Sequence, residues 1–144
     1  MDVSILFINP NSDERMGKMI HAEAQRIVSP NTRFAVVNNQ SGPQRLSNYL
    51  DEAHAHLGVV ELLQEYRDRY EAFVIACTRD PFIDTLRLLT PRPVLGCAEP
   101  AFKMATFLGD RFSLIQTSTT SIPFKRDLIR KYGLESRCAS VRGF

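Results

Sequence analysis

The amino-acid sequence predicts an α/β fold, a parallel sheet with helices on both faces. Two observations carry this expectation. Short apolar runs rich in β-formers alternate with longer amphipathic runs, the pattern of repeated strand–helix units whose helices cover a sheet. Between the runs stand residues that end one element and open the next, such as Asn9-Pro10, Pro30-Asn31, Pro91-Arg92-Pro93 and Gly109-Asp110. The chain has 144 residues, 44% hydrophobic and 24% charged, an ordinary globular composition. A chain of that length buries roughly two-thirds of its unfolded surface.

Val3 to Ile8 is a buried-strand candidate. Ser12 is placed to cap the next helix, with Asp13 and Glu14 suited to its positive end. Met16, Met19, Ile20, Ala24 and Ile27 then recur at helical spacing. Thr32 to Val37 makes a second strand. The polar stretch Asn38-Asn39-Gln40-Ser41-Gly42-Pro43 after it is longer than a simple link requires, so it is a candidate functional loop.

A helix from about Leu50 to Tyr66 is expected to turn Leu57, Val60, Leu62 and Leu63 inward. Phe73-Val74-Ile75-Ala76 forms the third strand and delivers Cys77 at its C-terminal end. Asp80-Pro81 then opens a helix with Ile83, Leu86 and Leu89, Pro81 taking a tolerated first-turn position. Val94-Leu95-Gly96 is a short fourth strand, and Glu99-Pro100 begins a helix through Leu108. Phe112 to Ile115 is the fifth strand. A last helix with Phe124, Leu128, Ile129 and Tyr132 stops at Gly133, a good residue for that place. Arg137 to Val141 reads as a sixth strand.

Charge argues against two classes of partner. The formal net charge is +2, from 18 basic and 16 acidic residues, with no basic patch suited to nucleic acid or an anionic membrane. The basic cluster Lys125-Arg126 and Arg130-Lys131 is broken by Asp127 and reads as a solvated helix face. No window approaches the ~18 apolar residues of a spanning helix, and Met1-Asp2-Val3-Ser4 has no secretory pattern. Cys77, Cys97 and Cys138 form neither a metal motif nor an even disulfide framework, which fits a cytoplasmic protein with reduced thiols. His21, His54 and His56 read as surface residues, with no metal spacing near them.

In parallel sheets, ligands bind beyond the C-terminal strand edges. Here those edges carry Asn9-Pro10-Asn11-Ser12, Ser41-Gly42-Pro43, Cys77-Thr78-Arg79-Asp80, Ala98-Glu99 and Gln116-Thr117-Ser118. Cys77 stands out. A cysteine between a strand and a helix N-terminus meets partial positive charge and free N–H groups, which favour its thiolate, and Arg79 adds to the effect. A small buried core residue is the alternative reading. Arg79 itself either narrows the pocket, favours a carboxylate-bearing substrate or points to solvent. Glu99 either favours the helix dipole or contacts a ligand.

The segments Ile5-Leu6-Phe7-Ile8-Asn9-Pro10-Asn11-Ser12, Gly42-Pro43 and Phe73-Val74-Ile75-Ala76-Cys77-Thr78-Arg79-Asp80-Pro81 together resemble the hydantoin racemase branch of the Asp/Glu racemase superfamily. Pro93-Val94-Leu95-Gly96-Cys97-Ala98-Glu99 and Phe112-Ser113-Leu114-Ile115-Gln116-Thr117 extend the resemblance in order. It implies two similar α/β lobes, here a first lobe over residues 1–95 and an incomplete second over 96–144. It also implies a cofactor-free and metal-free 1,1-proton transfer on a small-molecule substrate, a five-substituted hydantoin, allantoin or an amino-acid-like compound. The family's first catalytic cysteine falls on Cys77. Its ligand contacts fall on Asn9, Ser41, Gly42 and Thr117, with Thr78 and Arg79 following the cysteine where the family usually has small or apolar residues. The family's second cysteine lies in a C-terminal segment beyond this sequence, and Cys97 and Cys138 match it poorly. An incomplete lobe exposes sheet edges and apolar helix faces, so a homo-oligomer or a longer polypeptide is expected. The competing readings are a related isomerase or decarboxylase on the same fold, and a non-catalytic binding or regulatory protein.

Overall fold

The computed structural model describes residues 3–144, so Met1 and Asp2 of the expected ordinary start lie outside it. The chain divides into two compact units, one ending at Gly96 and one spanning Cys97–Phe144. The first unit contains β1 (Val3–Asn9), α1 (Glu14–Ile27), β2 (Thr32–Asn38), α2 (Tyr49–Tyr66), β3 (Ala72–Ile75), α3 (Ile83–Leu89) and β4 (Val94–Leu95). Its four strands lie in the order β2-β1-β3-β4, and every pairing is parallel.

Strand periodicity explains the layering. Alternate residues of a strand face opposite sides, so Leu6 and Ile8 of β1 share a face with Phe73 and Ile75 of β3. These four pack with Val59 and Leu63 of α2, Ile83 and Leu86 of α3 and Val94 of β4 in one buried cluster. The other face carries Phe7, edge-on to Phe34 of β2 at 6.0 Å, and Phe34 meets His21 of α1 at 4.9 Å. Helices therefore cover both faces.

Several expected details change. Asp13, not Ser12, caps α1, because its side chain accepts from the Arg15 N–H at 2.9 Å. That hydrogen bond holds the Asp13 carboxyl below its ordinary pKa. Met16, Met19 and Ile27 are exposed, and α1 packs instead through Gly17 and Ala24. A Cβ on Gly17 would lie 2.3 Å from Asn38 Oδ1, so the helix needs a residue without a side chain to approach β2 so closely. Leu57 is exposed too, because the inward stripe of α2 runs through Ala55, Gly58, Val59 and Leu63 and leaves residue 57 on the far side.

The start of α2 shows a capping box. Asn48 Oδ1 accepts from the Asp51 N–H at 2.9 Å, and Asp51 Oδ2 accepts from the Asn48 N–H at 3.2 Å. Asn48→Ala is expected to lower stability by about 1 kcal/mol. A urea unfolding midpoint equal to that of the wild type would show that the cap contributes nothing.

The second unit holds α4 (Ala98–Leu108), β5 (Phe112–Gln116), α5 (Ile122–Lys131) and β6 (Cys138–Gly143), with β5 and β6 parallel. Ala98, Phe102, Leu128 and Ile129 are buried together, with Cys138 packed against them. Arg137 Nη2 donates to the carbonyls of Thr106 and Gly109, satisfying acceptors at the end of α4. Gly133 has φ of 68°, as the end of α5 requires. The solvated reading of the basic cluster fails at Lys125, which is buried because it shares a helix face with Leu128 and Ile129, three and four residues on. Phe107, Leu108, Ile115 and Phe144 are exposed.

Candidate active site

The order of strands in the first unit creates a crevice. From β1 the chain moves to β2 on one side and returns to β3 on the other, so β1 and β3 flank the topological switch point where parallel sheets bind ligands. Two expected site segments sit there. Asn9 ends β1, and Cys77 lies two residues beyond the end of β3. The Ala76 N–H still donates to the Ile8 carbonyl at 2.9 Å, which keeps the two strand ends in register.

The Cys77 segment differs from expectation. The Cys77 N–H donates to the Ile75 carbonyl at 2.8 Å, a tight turn that ends the strand. A further turn follows, in which the Asp80 N–H donates to the Cys77 carbonyl at 3.1 Å. Asp80 and Phe82 have φ of 46° and 66°, so Pro81 lies in the turn and α3 begins only at Ile83. Cys77 is therefore not at a helix N-terminus, and the argument from helix charge does not apply to it. Its thiol is partly buried, and Thr78 beside it is exposed.

Non-glycine residues avoid this left-handed backbone unless their surroundings hold them there. The surroundings are visible. Asp80 is buried against Gly96, where an added Cβ would lie 2.2 Å from the Asp80 carboxyl carbon. The Phe82 ring stacks on His56 of α2, with centroids 4.5 Å apart and planes 9° apart. Arg79 Nε donates to Glu52 Oε1 of the same helix. Arg79 thus does not point to solvent, and His56 is not a surface residue.

The loops after β1 and β2 are joined through asparagines. Asn9 is fully buried, and its Nδ2 donates to Asn11 Oδ1 and Asn38 Oδ1, each at 2.9 Å. These bonds hold the shape of the loop that follows β1. Asn39, marked in the sequence only as part of a polar loop, is the residue that joins these loops. Its Nδ2 donates to the Ala55 carbonyl at 2.9 Å and the Pro10 carbonyl at 3.3 Å, and its Oδ1 accepts from Ser41 Oγ at 2.9 Å. Ser41 itself is exposed, and Gly42 lies so close to Asn39 and Pro10 that a Cβ would meet the Pro10 carbonyl at 2.9 Å. Nothing in the local sequence marks Asn39 above Asn38, since the difference is which one the strand turns inward.

Thr117 belongs to the second unit, where it is exposed just beyond β5. Cys97 stands just before α4 without a side-chain capping bond and is partly buried, and Cys138 Sγ faces the Ser140 carbonyl at 3.5 Å. Glu99 lies in the first turn of α4 and pairs with Lys103. Among the described residues, no group of three or more His, Cys, Asp or Glu is placed to hold a metal ion. None of their helices is long and apolar enough to cross a membrane. A cavity of about 680 Å³ opens at the opposite edge of the sheet, lined by Ser4, Thr32, Arg33 and Glu71. It lies at the N-terminal strand ends, remote from Cys77, so the candidate site rests on the strand-end segments.

Comparison with known proteins bears on this geometry. The chain is 34% identical to the hydantoin racemase of Paenarthrobacter aurescens over 140 residues, which cover 96% of this chain and 59% of that protein. It superposes on the allantoin racemase of Klebsiella pneumoniae with a TM-score of 0.94 at 34% identity, covering 98% of this chain and 58% of that one. The allantoin racemase of Pseudomonas fluorescens gives a TM-score of 0.91 at 26% identity, over 98% of this chain and 60% of that one. The chain thus spans less than two thirds of the length of these relatives. A sequence model described as Asp/Glu/Hydantoin racemase matches residues 5–144, and the chain belongs to that family.

Proposed function

We propose that this chain carries the Cys77 half of a racemase site for hydantoin-like carbon acids, five-substituted hydantoins or allantoin, with amino-acid-like compounds as the wider class. One observation carries the reading: Cys77 is a partly buried thiol just beyond β3, beside the switch point of a parallel sheet, in a chain of a racemase family. The names of the hydantoin and allantoin racemases it resembles support the substrate class.

In the proposed step, the Cys77 thiolate removes the proton on the carbon next to a carbonyl. The C–H bond breaks, an S–H bond forms, and the electron pair spreads into the carbonyl as an enolate. A second acid on the opposite face returns a proton to carbon and inverts the centre. Each unit of pKa mismatch between carbon acid and thiol costs about 1.36 kcal/mol, so the enolate charge must meet fixed donors in a site that excludes water. The hydroxyl of exposed Thr78, the residue after Cys77, is proposed as one such donor. A hydantoin ring eases the step by spreading charge through its own carbonyls and nitrogens. The thiolate is the base and the substrate is the electron sink, so the step requires no metal or cofactor.

The proposal includes a homo-oligomer in the cytoplasm, supported by the exposed Phe107, Leu108, Ile115 and Phe144 and by three cysteines outside any disulfide. Light scattering showing only monomers would remove the first part.

The test is optical. A single enantiomer of a five-substituted hydantoin is expected to lose its rotation in the presence of the protein, faster than the same enantiomer of aspartate or glutamate. Unchanged rotation of every compound, allantoin included, would sink the claim that this chain racemises them.

A further inference from the structure

We propose that Glu52 is a positioning residue for Cys77 that acts through Arg79, holding the cysteine segment on α2 and cancelling a positive charge two residues along the chain from the thiol. The inference rests on reading Cys77 as the base, and its test separates the two ideas.

Three side chains of α2 meet the segment after Cys77. Tyr49, Glu52 and His56 are three and four residues apart, so they share one helix face. Glu52 accepts from Arg79, the Arg79 guanidinium carbon lies 5.8 Å from the centre of the Tyr49 ring, and His56 stacks on Phe82. Between those anchors the backbone passes through the left-handed residues Asp80 and Phe82. A segment in so unfavourable a conformation keeps its shape through its anchors.

The charges matter as much as the shape. Arg79 stands two residues from Cys77, where a lone guanidinium would favour the thiolate and lower the pKa of the thiol. The Arg79 and Glu52 side chains are only 10% and 19% exposed, so solvent screens their pairing weakly. Glu52 thus withholds the cation from the thiol and preserves its basicity. A stronger base suits proton abstraction from carbon, where a strongly depressed thiol would be a poor acceptor. The other charged or titratable groups about the segment are buried Asp80, exposed Tyr49 and half-buried His56 of α2, and exposed Asp84 in the first turn of α3.

The test is alkylation of the full chain by iodoacetamide across pH, read at Cys77 by peptide mass spectrometry so that Cys97 and Cys138 are counted apart. Glu52→Gln is expected to lower the apparent Cys77 pKa by about half a unit and raise its rate near neutrality about threefold. Arg79→Gln is expected to move both the opposite way, and the double variant to return near the wild type. Glu52→Asp should restore much of the wild-type profile. Opposite shifts from the two halves of one ion pair are not what simple loosening of the fold produces. Shifts in the same direction, or none, would overturn the inference. If Glu52→Gln does not fold, as judged by circular dichroism, Arg79→Gln against Arg79→Lys decides: only the first should raise the pKa. Alkylation reads the thiol whether or not a substrate turns over. Opposite shifts in a chain that racemises nothing would keep this inference and sink the racemase reading.

Discussion

Asn39→Ala is expected to destabilise the first unit by about 2–4 kcal/mol, because it removes a buried donor to the carbonyls of Ala55 and Pro10 and the acceptor of the Ser41 hydroxyl. Asn39 is 1% exposed, so water cannot replace the lost side chain without entering the packed junction of β1, β2 and α2. Gly58→Ala probes the same junction. Alanine in place of a helix-interior glycine ordinarily stabilises by about 1 kcal/mol. Here the new Cβ would lie 2.1 Å from Asn39 Oδ1 and 2.3 Å from Ser41 Oγ, so the sign is expected to invert. Urea unfolding measures both. A stabilised Gly58→Ala, or an Asn39→Ala within error of the wild type, would show that the asparagine does not hold the loops together.

Cys77→Ala is expected to separate activity from stability. Loss of the proposed base should lower racemisation by at least about 10²–10⁴-fold, the usual range for a general base. The thiol is partly buried, so the unfolding free energy should change by no more than about 1 kcal/mol. Cys138→Ala is the contrasting variant. Cys138 packs against Phe102, Leu128 and Ile129, so its replacement should cost stability through lost contacts. Its effect on turnover should be small beside that of Cys77→Ala. Equal losses of turnover in the two variants would point to a shared structural cause.

The periodic parts of this fold were legible in the sequence. Apolar runs such as Ile5 to Ile8 and Phe73 to Ile75 become the central strands β1 and β3, because a strand covered on both faces needs an unbroken apolar run. The parallel order followed from the intervening helices. Cys77 and the loops after β1 and β2 were legible as strand-end positions, and the strands they follow, β1 and β3, are neighbours at the switch point. What stayed hidden depended on pairs remote in sequence. Arg79 finds Glu52, 27 residues earlier, and no local pattern foretells that pairing. The later start of α3 was hidden for a related reason. Pro81 suits a first helical turn, but Asp80 buried against Gly96 and Phe82 stacked on His56 hold the preceding backbone in a different shape. The exposure of Leu57 and Ile27 shows the limit of apolar spacing alone, since it marks a stripe without saying how wide the buried part will be.

Whether Cys77 is a base toward carbon is read by proton exchange in heavy water. A single enantiomer of a five-substituted hydantoin would be followed by NMR with the wild type and with Cys77→Ala side by side. The signal of the carbon-bound proton is expected to disappear with the wild type and to persist with the variant. Inversion during exchange would mean that a second acid is at hand, and retention that Cys77 acts alone. Exchange at the same rate in both proteins, or in neither, would contradict the assignment.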